Sequence, residues 1–209
     1  MDRSIRAPDA VARVALAACL IVVGLRAADG QVSAAVPLLY LAVVTGELCR
    51  IDLAEFRLPN ALVVPGLGFA AAGLSWGAFA GAFAGADTTG AATTGLVATG
   101  AATTGAATGA AMAVAALCGG AGYAAVLLIP ALAGEAGMGD VKLAALLGLV
   151  LGALGPWQLV LGPVSAFVAA GVVALVTGMF GGTRAGDRIA FGPFMLGGFW
   201  AAVALSPAA

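Results

Sequence analysis

Long apolar runs, broken by short islands that hold nearly all the charge, constrain this chain more than any other feature. Of 209 residues, 62% are hydrophobic and only 9% are charged, and the mean hydropathy is +1.10. Soluble domains carry about a quarter charged residues and about half apolar ones. A water-soluble fold of this size has too little interior to hide so much apolar surface. A bilayer is therefore the expected solvent for most of the chain. In lipid every backbone N–H and C=O must find a partner within the protein, which leaves helices or a closed barrel. Barrel strands alternate polar and apolar residues, and the Ala/Leu/Val runs here do not. The expected fold class is all-α: a polytopic transmembrane helix bundle of about six to seven spans, forming a single domain.

Seven stretches have about the length a span requires: 11–28, 33–49, 61–85, 110–131, 141–155, 157–180 and 189–206. The fifth is short. Orientation follows from lysine and arginine, which favour the cytoplasmic side. With the N-terminus inside, Arg3, Arg6, Arg13, Arg50, Arg57, Lys142, Arg184 and Arg188 all fall inside, and only Arg26 falls outside. The reverse topology misplaces eight of the nine basic residues. The first stretch also has a signal-peptide character, with a basic start and an apolar run from Ala15 to Leu25, but Arg26 and Asp29 intrude where a cleavage site would stand. Either way residue 30 lies outside and the later topology is unchanged.

Residues 86–109 are low in complexity and repeat in fives, as in Thr88-Thr89-Gly90-Ala91-Ala92 and Thr103-Thr104-Gly105-Ala106-Ala107. A period of five does not keep residues on one helical face. The preceding Gly73, Gly77, Gly81 and Gly85 recur every four residues and read as a close helix-packing stripe. Residues 86–109 are therefore expected to form an external loop.

Several chemistries are disfavoured from the start. The net charge is −1, so no basic surface points to nucleic acid. Histidine is absent, which removes the commonest general base and metal ligand. Cys19, Cys49 and Cys118 form no CxxC pair, so neither a zinc site nor a disulfide framework is indicated. No cofactor or metal is expected.

What remains are acidic residues beside the apolar runs, which are functional candidates by default. Glu47, Asp52, Glu55, Glu135, Asp140 and Asp187 all lie toward the inside in this topology. Two settings stand out. Asp52 leaves the second span in Asp52-Leu53-Ala54-Glu55-Phe56-Arg57-Leu58-Pro59-Asn60, where Pro59 suits the start of the next helix. Asp140 opens the fifth span in Gly137-Met138-Gly139-Asp140-Val141-Lys142-Leu143. A helix N-terminus favours a carboxylate there. Gly137 and Gly139 are expected to leave room beside Asp140 for a substrate backbone, and Lys142 adds a positive charge or anchors at the headgroups.

Gly137–Leu143 resembles the GxGDxKL signature of the type IV prepilin peptidase family. Asp52–Asn60 resembles that family's first aspartate segment, with an arginine before Pro-Asn, and Phe191-Gly192-Pro193-Phe194 is similar to its FGPF element. The resemblance covers roughly residues 45–205. A bare GxGD is weak in a chain with 32 glycines, but the two extended motifs in order are specific. The resemblance implies an intramembrane aspartyl endopeptidase with Asp52 and Asp140 as catalytic carboxylates and Gly137, Gly139, Lys142, Pro59 and Asn60 as supporting or substrate-binding residues. The implied partner is a prepilin or pseudopilin whose basic leader is cut off before an apolar helix, on the cytoplasmic side of the membrane. Two spans separate the aspartates, so the topology puts both on that same side. Long family members carry two CxxC pairs linked to N-methylation. The chain has none, so it looks like the short, peptidase-only type and methyl transfer is not expected.

Other residues have plainer readings. Asp52 could pair with Arg50 or Arg57, and Asp140 could simply cap its helix. Glu47, Glu55, Glu135 and Asp187 are expected to be solvated or locally paired, with Glu47 the nearest to a third carboxylate. Cys49 reads as an inert neighbour of Asp52, and Trp76, Trp157 and Trp200 as interface anchors or packing. A competing function is a small ion transporter or channel using the same carboxylates; conduction does not require the Arg-x-Pro-Asn and Gly-x-Gly-Asp-x-Lys contexts. A presenilin-like protease would be expected to carry a Tyr-Asp pair, which is absent, and a Pro-Ala-Leu element.

Overall fold

The computed structural model describes residues 16–24, 32–55, 58–87, 95–134, 137–180 and 190–205, with side chains described in 16–24, 35–54, 58–76, 110–134, 137–180 and 190–205. Among these residues every regular element is a helix: α1 (16–24), α2 (Val32–Glu55), α3 (Asn60–Asp87), α4 (Gly95–Leu132), α5 (Met138–Leu154), α6 (Pro156–Met179) and α7 (Gly192–Ala204). The fold class is all-α, as the absence of alternation required.

Each helix coincides with an expected apolar run, with two differences. Helix α7 holds 13 residues, about 20 Å at the helical rise per residue, against the expected 189–206. Helix α4 starts at Gly95, and α3 extends to Asp87. Residues 86–87 and 95–109 are therefore helical rather than loop, while 88–94 lie outside the described residues. The physical reason is propensity. Alanine is the strongest helix former, and a period of five deprives a helix of a packing stripe without disturbing its own hydrogen bonds.

Among the described residues, two helical stretches are long and apolar enough to cross a bilayer, Ala110–Leu132 and Pro156–Met179. Only 28% and 11% of these stretches are buried. A core helix of a soluble protein would be mostly covered; here Val168, Leu175 and Met179 of α6 and Leu117 and Ile129 of α4 face outward. Apolar surface on this scale points to a membrane setting. Asn60–Trp76 and Gly192–Ala204 are shorter apolar helices.

Helix α5 is the hub. It packs against α2, α3, α4, α6 and α7, and Leu143, Leu146, Leu147 and Leu151 are fully buried. Its association with α4 is backbone to backbone. A Cβ placed on Gly119 would lie 2.5 Å from the Gly148 carbonyl oxygen, and one on Gly152 would lie 2.5 Å from that of Ala115. Small residues four apart on both helices permit this approach; a methyl group added at Gly148 would overpack the seam at a cost of about 1–3 kcal/mol. Gly198 of α7 meets Gly162 and Ala166 of α6 in the same way. Of the stripe read from the sequence, Gly73 is buried, while Gly77, Gly81 and Gly85 fall outside the residues with described side chains.

Polar links fix α2 against its neighbours. Trp200 Nε1 donates to Thr45 Oγ1 at 3.0 Å, and Thr45 Oγ1 donates to the Leu41 carbonyl at 2.6 Å. Tyr40 OH donates to the Leu62 carbonyl, and its ring stacks on Phe69. Trp200 is thus a buried packing residue, whereas Trp76 and Trp157 are exposed. Gly155, at φ 142°, turns the chain directly from α5 into α6, with Pro156 opening the new helix. The links from α2 to α3 and α7, with the approach of Gly139 to Leu58 and the bond from Lys142 to Asn60, place the last turn of α2, the entry to α3, the first turn of α5 and the first turn of α7 at one end of the bundle.

Candidate active site

The three motif segments, far apart in sequence, meet at that end. Asp52 lies in the last turn of α2 and is only 4% exposed. Its Oδ2 accepts the backbone N–H of Gly192, the first residue of α7, at 3.0 Å. Arg50 instead forks onto Glu47, with Nε to Oε2 at 3.0 Å. That pair is exposed and contributes little to stability, and it accounts for Glu47 as a locally paired side chain. Cys49 is half-buried beside this turn, with a free thiol.

Pro59 and Asn60 begin α3. The Pro59 carbonyl accepts the N–H groups of Leu62 and Val63 at 3.1 and 3.4 Å, so Pro59 stands at the cap position, one residue before the helix. Asn60 is exposed, and its Oδ1 accepts Lys142 Nζ at 2.9 Å. This bond ties the start of α3 to the first turns of α5 across 82 residues.

Asp140 sits in the first turn of α5, half-buried. Its Oδ2 accepts the Gly137 N–H at 3.3 Å, while its own N–H donates to the Gly137 carbonyl at 3.0 Å. This is one half of a capping box; glycine has no side chain to complete the other half. The capping reading of Asp140 therefore holds in part and coexists with its place in the site.

Gly139 differs from expectation. A Cβ there would meet Leu58 Cβ at 2.9 Å and the Leu58 backbone N and O at 3.3 and 3.4 Å. The missing side chain admits the chain entering α3, not a substrate. Gly137 is open, with only Asp140 Oδ2 at 3.6 Å from a would-be Cβ, so the room expected of both glycines exists at one.

Both aspartates lie beyond the apolar spans, at 33–49 and 141–155, that they flank. Burial pushes the Asp52 carboxyl above its ordinary range, and the Gly192 N–H partly offsets this. Asp140 is raised by burial, then by the negative charge of Asp52, against a smaller pull from the Gly137 N–H. Two carboxyls within electrostatic reach of one another hold a proton more tightly than either would alone, and their titration belongs to the pair. Such a pair can hold one proton while the other carboxylate stays ionised, the state an acid–base couple needs.

Of the expected site residues, the structure brings Asp52, Pro59, Asn60, Gly137, Gly139, Asp140 and Lys142 to one end of the bundle. Arg57, Glu135 and Asp187 lie outside the described residues, as does the side chain of Glu55. A Pro-Ala-Leu triplet does occur, at Pro130-Ala131-Leu132 closing α4, but Leu132 is 77% exposed, and among the described residues the hydrogen-bond donors to the aspartates are Gly192 and Gly137. What sequence reasoning missed is the part played by Gly192, whose N–H and lack of side chain both bear on Asp52. No protein-family model matches the chain, and no curated protein or solved structure does so either.

Proposed function

We propose that this protein is a polytopic membrane aspartyl endopeptidase of the prepilin-peptidase type, with about six to seven helices embedded in the cytoplasmic membrane and the active site facing the cytoplasm. The observation that carries the reading is convergence. Asp52 and Asp140, 88 positions apart in the sequence, lie within electrostatic reach, and the segments around them are tied by Gly192 on Asp52, Leu58 against Gly139 and Lys142 on Asn60. An ion path needs membrane carboxylates but has no use for these ties.

The chemistry follows from the pair. The ionised carboxylate takes a proton from water as the water attacks the scissile carbonyl. The protonated carboxyl donates its proton to the developing oxyanion. The carboxyl that took the proton from water then passes it to the leaving amine, and the first carboxylate regains a proton from the diol hydroxyl as the carbonyl re-forms. The substrate is a prepilin-like or pseudopilin-like protein whose basic leader stays on the cytoplasmic side and whose apolar helix lies in the bilayer.

The raised carboxyls set a pH dependence. Both carboxyls are raised, so the shared proton is lost only above the ordinary carboxylate range, and the fall of activity on the alkaline side is displaced upward accordingly. The rate of leader cleavage against pH, measured on the protein in vesicles, is expected to show its alkaline limb above the ordinary carboxylate range. A limb at the unperturbed value contradicts a coupled pair. Topology is tested separately. Reporter fusions after residues 30 and 58 are expected to report opposite sides of the membrane, and the same side for both overturns the orientation.

A further inference from the structure

We propose that Gly192 is a positioning residue for Asp52: its backbone N–H and its missing side chain together hold the Asp52 carboxylate in the orientation in which it works with Asp140. This rests on the peptidase reading above. Helix α7 begins at Gly192, and the first N–H groups of a helix have no partner within it. The donors of this first turn can be accounted for in full. Pro193 has no N–H. Phe194 and Met195 both donate to the Phe191 carbonyl at 3.1 Å. Gly192 N–H is left, and it points at Asp52 Oδ2, 3.0 Å away and buried.

A steric observation supports the same conclusion independently. A Cβ on Gly192 would lie 2.7 Å from Asp52 Oδ2 and 3.1 Å from its Cγ. The obstacle is the carboxylate itself, so any other residue would push it aside. Gly197 on the same helix has nothing within 4 Å of a would-be Cβ, so glycine is not a general requirement of α7. Because an N–H stabilises a carboxylate in its charged form, and this bond at 3.0 Å is shorter than the 3.3 Å bond from Gly137 to Asp140, it also favours Asp52 as the ionised member of the pair.

The test uses full-length protein in lipid vesicles and a peptide with a basic leader, a glycine and an apolar helix. Gly192→Ala is expected to lower kcat about 100-fold through misplacement of the carboxylate, with KM little changed, while Gly197→Ala cleaves like the unmodified protein. Replacing the amide at residue 192 by an ester removes the donor without adding bulk. It is expected to move the acid limb of kcat to higher pH by about one to two units, because the ionised form of Asp52 loses a charge-assisted bond. A Gly192→Ala protein with unaltered kcat, or an ester protein with an unmoved acid limb, overturns the proposal. If Gly192→Ala does not fold, the ester protein decides. If the unmodified protein does not cleave, the peptidase reading fails instead. Infrared titration of the Asp52 carboxyl in the unmodified and ester proteins then decides the positioning role, an upward shift supporting it and no shift overturning it.

Discussion

Replacing Asp52 or Asp140 by asparagine is expected to abolish leader cleavage while leaving membrane insertion intact. Asparagine keeps the size of the side chain, and its carbonyl can still accept the Gly192 or Gly137 N–H. What it loses is proton exchange. General acid–base catalysis supplies about 10²–10⁴-fold, and losing either carboxylate also removes the partner that tunes the other, so each single variant is expected to fall at least that far. Residues that act as one unit are not additive. The double variant is therefore expected to be hardly slower than either single one. Glu47→Gln is the control: Glu47 is an exposed partner of Arg50 and has no place in the chemistry. Cleavage rates on reconstituted protein decide this. A single asparagine variant that retains near-normal rates removes its aspartate from the mechanism, and strictly multiplicative losses contradict a coupled pair.

The second large effect is expected at Gly139, and it should not be shared by Gly137. Gly139→Ala places a methyl group 2.9 Å from Leu58 Cβ and close to the Leu58 backbone. Backbone cannot swing away as a side-chain tip can. The start of α5 must therefore move from the start of α3, carrying Asp140 with it. A displacement on the order of 1 Å in a catalytic group can cost about 100-fold in rate. Gly137→Ala keeps the N–H that Asp140 accepts, has φ −80°, and meets nothing closer than 3.6 Å, so its activity is expected to stay near that of the unmodified protein. Equal losses at the two positions would mean that GxGD glycines serve substrate access, and the Leu58 contact would then be incidental.

Much of this architecture is legible in the sequence, and the places where it is not share a cause. Apolar runs mark the helices because hydropathy is a local property. The aspartates, Pro59, Asn60 and Lys142 are legible because their motifs place particular side chains beside helix ends. Residues 95–109 were not legible as helix because the five-residue repeat argues only about packing, and alanine forms helix without a packing partner. The α4–α5 seam was not legible either. With 32 glycines in the chain, nothing in the sequence states that Gly119 faces Gly148; only the pairing of helices does. The sequence suggests openness toward a substrate at Gly139, whereas its neighbour is Leu58, 81 residues earlier and brought there by the fold. Gly192 was the hardest of all, since its contribution is a backbone N–H, which every residue but proline possesses and no residue letter singles out.

A chain that cuts a peptide bond with the Asp52–Asp140 pair leaves two defined products, and these can be identified directly. The full-length protein is placed in lipid vesicles with a substrate made of a basic leader, a glycine and an apolar helix, and the fragments are identified by mass spectrometry. Two fragments joined in the substrate at the bond following the glycine are expected, and no fragments from the Asp140→Asn protein. Intact substrate after prolonged incubation, with ions passing across the same vesicles in an Asp140-dependent way, would contradict cleavage by this pair and make the protein a transporter.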